Sequence, residues 1–166
     1  MIKRKLILLI AYMMSIMTSI GAVTNDNNPV VNVIARHIGV GPAGVIMDAD
    51  SIVANLTVWE NDVLPPKVLS PGMCAILKYT LCQPIMYSSD KRVYSAFYAD
   101  VRLVIYKGDA FLTLELDYNI NKWRLKDEKG NQICRHDLKN SELLTMMHEL
   151  WPESKNINIK YDNFTD

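Results

Sequence analysis

The sequence predicts an α+β domain: an antiparallel sheet of about five or six strands with two amphipathic helices packed on one face. Three observations lead there. The second half of the chain is a series of β-branched and aromatic runs joined by short turns, which suits hairpins and leaves no room for the crossovers of a parallel sheet. Two segments, Pro71–Gln83 and Asn140–Trp151, repeat apolar residues at spacings of three and four between helix start and stop signals. Elsewhere the apolar pattern has a period of two.

Taken in order, Val30 to Ala35 is a β-branched run that reads as a strand, and Gly39, Gly41, Pro42 and Gly44 mark a turn region after it. Ile52, Ala54, Leu56 and Val58 alternate with Val53, Asn55, Thr57 and Trp59, as a strand with two different faces does. Asn61-Asp62 and Pro65-Pro66 break the chain. Ser70 then serves as N-cap, and Pro71 takes the first helical position, where its missing N–H costs nothing. Met73, Ile76, Leu77 and Leu81 share one face of that helix, which Pro84 stops.

Val93–Tyr98 and Val101–Tyr106 read as strands. Lys107-Gly108-Asp109 turns the chain into a partner strand from Phe111 to Tyr118. A second hairpin pairs Trp123–Lys126 with Ile133–His136 around Glu128-Lys129-Gly130-Asn131. Asn140 caps the last helix, with Glu142 against the positive end of its dipole. Leu143, Leu144, Met147, Leu150 and Trp151 form the apolar face, and Pro152 ends it. Residues 153–166 are a polar tail, expected as a short edge strand or as disorder.

The first 22 residues read as a secretory leader. Lys3, Arg4 and Lys5 form a basic head, Leu6 to about Met17 an apolar run, and Thr18-Ser19-Ile20-Gly21-Ala22 a patch of small residues. Cleavage is expected after Gly21 or Ala22. The rival reading is an uncleaved anchor, because Leu6 to Val23 carries no charge and is long enough to span a bilayer; Ser15, Thr18 and Ser19 speak against it. The first cysteine is Cys74, so no lipid-modified cysteine follows the leader. The expected organisation is therefore a signal peptide at 1–22, one α+β domain at 23–152 and the tail, in a periplasmic or secreted protein.

The chain has 18 basic and 18 acidic residues, and three of the basic ones lie in the leader, which leaves 15 against 18. A mildly acidic chain without a basic stripe argues against nucleic acid, whose binding requires concentrated positive charge. After cleavage no membrane contact is expected either. Of the three cysteines, Cys74 and Cys82 lie in one regular element, ~12 Å apart if helical, beyond disulfide reach. Any bridge therefore uses Cys134, with Cys82 the preferred partner; three free thiols packing as small hydrophobes is the other outcome.

Several patterns invite chemistry. Gly39-Val40-Gly41-Pro42-Ala43-Gly44 fits the G-x-G-x-x-G dinucleotide fingerprint, with Val30–Ala35 upstream and Glu60 at about the distance of a ribose-binding acid. Arg36, His37 and Ile38 intervene before the first glycine, and no parallel strands follow, so the motif reads as a glycine-rich loop and no cofactor is expected. His37, His136 and His148 lack metal-ligand spacing, so no metal is expected. Cys134 and His136 lie two apart in a strand and face the same way, the arrangement of a Cys–His dyad. Glu115 and Asp117 share a face with Thr113, the wetted side of a half-buried sheet. Asn55-Leu56-Thr57 and Asn163-Phe164-Thr165 match the glycosylation sequon. Tyr94, Phe97, Tyr98, Tyr106, Tyr118 and Trp123 are core packing or, where exposed, a binding surface.

From the Ser70 helix onward runs a pattern of motifs: Tyr94-x-x-Phe97-x-x-Asp100, Asp117-Tyr118-Asn119, Lys122-Trp123, Asp137-Leu138, Leu143-Leu144 and Trp151-Pro152. In these residues, over about half the chain, it resembles a group of small exported proteins of Bacteroides-type bacteria. The resemblance implies export from a bacterial cell and brings no activity, cofactor or site residue with it. No catalytic residue is expected, because no position combines nucleophile, base and oxyanion donor. The functional expectation is a non-catalytic binding or interaction protein for a protein or small-molecule ligand. The narrower alternative is a periplasmic inhibitor or immunity protein against an envelope enzyme or toxin; the competing class is a small enzyme using Cys134 and His136.

Overall fold

The computed structural model describes residues 29–58, 61–62, 64–88, 96–139, 141–155 and 157–158. Gly21 and Ala22, Tyr94, Asn140 and the second sequon lie outside the described residues. The element order is α1 (Pro29–Ile38), α2 (Val40–Met47), β1 (Ser51–Val58), β2 (Asn61–Asp62), β3 (Lys67–Val68), α3 (Pro71–Leu81), a 3-10 turn (Pro84–Tyr87), β4 (Val101–Lys107), β5 (Ala110–Asp117), β6 (Lys122–Lys126), β7 (Gln132–Asp137) and α4 (Ser141–Leu150). All the strands pair antiparallel in one sheet of order β2-β1-β4-β5-β6-β7, and β3 also pairs with β1. The α+β class and the antiparallel sheet are as the sequence predicts.

Alternation makes the core. Ile52, Ala54 and Leu56 of β1 lie opposite Ile105, Leu103 and Val101 of β4, which lie opposite Leu112, Leu114 and Leu116 of β5. Leu125 and Trp123 continue these rows on β6. Leu77 and Leu81 of α3 and Leu143, Leu144 and Met147 of α4 are buried in the same cluster. Burial of an aliphatic side chain stabilises by about 1.5–3 kcal/mol, so this cluster rather than helix propensity holds the short helices. The Ser70 hydroxyl accepts from Met73 N–H at 3.3 Å, the expected cap of α3.

Two sequence expectations fail at the start of the domain. Val30–Ala35 is helical, not a strand: Ile34 and Ile38, one turn apart, are both buried, and that tertiary burial overrides the β preference of a valine-rich run. The glycine motif is helical as well. Gly39 has φ 88°, a left-handed conformation that glycine adopts freely; its N–H closes on Ala35 O at 2.9 Å and separates α1 from α2. Pro42 fits inside the first turn of α2, where N–H groups have no intrahelical acceptor, and Ala43 and Ile46 are buried.

Two smaller departures follow. Ala96–Tyr98 is not strand but a crossing segment, the rest of the expected Val93–Tyr98 strand lying outside the described residues. In the tail, Ile157 is buried and Asn158 N–H donates to Ser154 O at 3.0 Å, so Lys155, Ile157 and Asn158 are helical rather than part of an edge strand. No helix among the described residues is long and apolar enough to cross a membrane.

Candidate functional site

β7 places Cys134 and His136 on the same, inward face, opposite Leu125 and Trp123. What gathers around them is a set of rings. His37, at the end of α1, stacks flat on Tyr87 from the 3-10 turn, 4.1 Å between centroids and 6° between planes. His136 stands edge-on to Tyr87 at 5.5 Å and to His37 at 6.5 Å, and lies 5.4 Å from Trp123. The Tyr87 hydroxyl donates to Leu81 O and Trp123 Nε1–H to Met86 O, both at 2.8 Å. These bonds fix the ring set between α1, the 3-10 turn and the sheet edge.

The electrostatics of this cluster favour neutral groups. Burial pushes the Cys134 thiol up to about 11, against a smaller opposing effect of the Leu125 backbone. Burial also pushes Cys82 up to about 11; its Sγ lies 3.9 Å from Met47 Sδ. Burial, then Cys134 and Cys82, raise the Tyr87 hydroxyl. Burial, then the neighbouring His37 and Lys122, lower His136 and keep its imidazole neutral. A cysteine nucleophile needs the thiolate, which a cationic neighbour stabilises and an apolar one does not. Cys74, Cys82 and Cys134 are all thiols, Cys82 buried and the other two half-buried. Among the described residues no three of His, Cys, Asp and Glu come together as a metal site.

The glycine motif lacks the strand–turn–helix setting that gives the fingerprint its meaning, since a helix precedes it and the sheet is antiparallel. Gly41, Pro42 and Val45 instead line an open groove of about 320 Å³, opposite Phe111 and the Asp127–Lys129 turn. Asp127 is engaged in its own turn, accepting from the N–H groups of Lys129 (2.9 Å) and Asn131 (2.7 Å). In the first sequon, Thr57 is buried and donates to Ala99 O.

The outward face of the sheet holds what the sequence reading missed. Glu115 and Asp117 are not wetted; they are 3% and 1% exposed. The register sets Arg102, Glu115, Arg124 and Arg135 side by side across four strands. Glu115 accepts from Arg124 Nε and from Lys126 Nζ, with Arg102 Nε at 3.5 Å. Burial alone would raise the Glu115 carboxyl, but the hydrogen bonds and charges of Arg124 and Lys126 outweigh it and hold the group below its usual range. Phe97 covers this row, its ring 4.1 Å from the Arg124 guanidinium and 5.4 Å from that of Arg135. Beside it, Lys122 pairs with Asp137. The available signal was the hairpin register: turns at 108–109 and 118–121 set Arg102 against Glu115 and Glu115 against Arg124.

Of the aromatic residues singled out, Phe97, Tyr118 and Trp123 are buried, whereas Tyr98 and Tyr106 are exposed. Tyr106 faces outward, its ring 6.0 Å from Phe111. No protein-family model, curated protein or solved structure matches the chain.

Proposed function

We propose that the protein is exported and acts by binding another molecule, without catalysis. Export rests on the basic, apolar and small-residue order of residues 3–22. The observation that carries the binding reading is the state of Cys134, the strongest nucleophile candidate: its thiol is pushed up to about 11 and faces an apolar, ring-lined interior. His136 beside it is packed among Tyr87, His37 and Trp123, where a base that moves protons needs access to substrate. The tyrosines at 98 and 106, on the outside, supply the rigid amphipathic side chains that binding surfaces favour.

Alkylation of the native protein with iodoacetamide near neutral pH tests this. Slow modification of Cys134, accelerated on unfolding, is the expected result. Modification of Cys134 in the native state as fast as that of a free thiol in solution would overturn the non-catalytic reading and favour a Cys–His enzyme.

A further inference from the structure

The outward face of the sheet divides into two parts. At one end Phe97–Asp100 lies across it, with Phe97 on Arg124 and Arg135 and Tyr98 N–H donating to Asp117. Toward the other end the register aligns Val68, Val53, Val104, Thr113 and Lys126 in one row across β3, β1, β4, β5 and β6, flanked by Ser51, Tyr106 and Phe111. This part is reachable. Val68 is 69% and Tyr106 37% exposed, and Val53, Val104 and Phe111 are only half-buried. β-branched and aromatic side chains on neighbouring strands thus form a contiguous apolar strip, the kind of surface that marks an interaction site.

The border of the strip has a sign. Arg102 and Lys126 flank Val104 and Thr113 along their strands and across the sheet, and their side chains are 27% and 24% exposed. With Arg124 they place three cations around one carboxylate, Glu115, so among the described side chains this border is basic. A second copy docked through the same face would meet a border of its own sign, which opposes self-pairing. The apolar and basic rows lie two residues apart along β4, ~6.8 Å, which is also the i to i+2 repeat of an extended chain.

We propose that this face docks an acidic segment of a partner protein, apolar side chains on Val53, Val104 and Tyr106 and carboxylates at Arg102 and Lys126. The inference rests on the binding reading and deepens it by naming the surface and the chemistry of the partner.

The probe is a short synthetic peptide with valine or tyrosine at one position and glutamate two residues on, serine between them, so that both share a face of the extended chain, and its counterpart with lysine for glutamate. Each is titrated into the isotope-labelled protein purified from its host, with amide chemical shifts as readout. The expected result is saturable perturbation at Val53, Val104, Tyr106 and Thr113 by the acidic peptide alone. Lys126→Glu is expected to weaken it at least about tenfold. Tyr106→Ser, at an exposed site, is expected to weaken it as well, whereas Tyr79→Ser on α3 leaves it unchanged. No saturable binding, equal binding of the lysine peptide, dimerisation through this face, or binding to anionic phospholipid vesicles in place of the peptide would overturn the proposal. Peptide binding at Tyr79 and Ile85 would also overturn it while leaving the binding reading standing, which only fast alkylation of Cys134 removes.

Discussion

Asp100 and Asp117 clamp each other's neighbours: Tyr118 N–H donates to Asp100 Oδ2 at 2.7 Å, and Tyr98 N–H donates to Asp117 Oδ2 at 2.8 Å. Asp117 also takes the N–H groups of Asn119 and Ile120 at 3.0 and 3.3 Å, which closes the turn between β5 and β6. Thr57 secures the other side, its N–H donating to Asp100 O at 2.9 Å and its hydroxyl to Ala99 O. The chain is thereby carried across the outward face at one level, and Phe97 is set down on Arg124.

Asp117→Ala removes the two carboxylate oxygens that accept from three N–H groups at a 1%-exposed position. It is expected to destabilise by about 2–3 kcal/mol, since hydrogen bonds to charged groups are worth about 1.5–3 kcal/mol and do not add fully. Urea unfolding measures the loss, and hydrogen exchange at Tyr98 is expected to rise more than at Leu114. Equal protection of Tyr98 in the variant would contradict the clamp.

Glu115→Gln leaves Arg102, Arg124 and Lys126 gathered around a neutral amide. A loss of about 2–3 kcal/mol at neutral pH is expected, below the full cost of breaking a buried pair because the cations reach solvent. The sign of its pH dependence follows from the lowered carboxyl. The folded chain holds this group ionised where the unfolded chain has already bound a proton, so the stabilisation is complete above about pH 4.3. It disappears as pH falls through the lower folded value. The wild-type advantage over Glu115→Gln in urea midpoint should therefore shrink in acid, and a difference constant with pH would refute the assignment.

His136 works in a different window. Its folded value is lowered by burial, His37 and Lys122, so the native state resists a proton that the unfolded chain accepts. Stability is expected to fall as pH drops below about 6.5, the unfolded value. His136→Phe keeps an aromatic ring against Tyr87 and Trp123 and should flatten that part of the profile. Urea midpoints between neutral pH and mild acid decide it; an unchanged slope in the variant would assign the effect elsewhere.

Trp123 and Trp151 are both buried, yet they differ at the indole nitrogen. Trp123 Nε1–H donates to Met86 O at 2.8 Å, whereas Trp151 Nε1 has no hydrogen-bond partner among the described residues. Replacement by phenylalanine removes a similar volume in each case. Trp123→Phe should therefore cost about 1 kcal/mol more than Trp151→Phe, the worth of one hydrogen bond. Thermal or urea unfolding of the two variants compares them directly.

Legibility in the sequence divided along physical lines. The hairpins of β4–β5 and β6–β7 were readable because alternation and turn residues agree there, and α3 because Ser70 and Pro71 announce its start. The α1–α2 pair was not. Val30–Ala35 has β-branched composition and Gly39–Gly44 has breaker composition, and only burial of Ile34, Ile38, Ala43 and Ile46 makes both helical. The ring cluster was half visible: Cys134 and His136 share a face by alternation, but His37 and Tyr87 reach them from remote segments. Glu115 was misjudged because alternation gives its face and not its cover, which comes from Arg124, Lys126 and the crossing segment.

Photo-crosslinking in living host cells tests most directly the claim that this protein acts by binding through its outward sheet face. A benzophenone side chain is placed at Tyr106 and, as control, at Tyr79, two exposed positions on different elements. The account predicts one discrete protein adduct from position 106, displaced by added unmodified protein, abolished by Lys126→Glu and absent from position 79. No adduct at 106, or one that neither competitor nor Lys126→Glu diminishes, would contradict it.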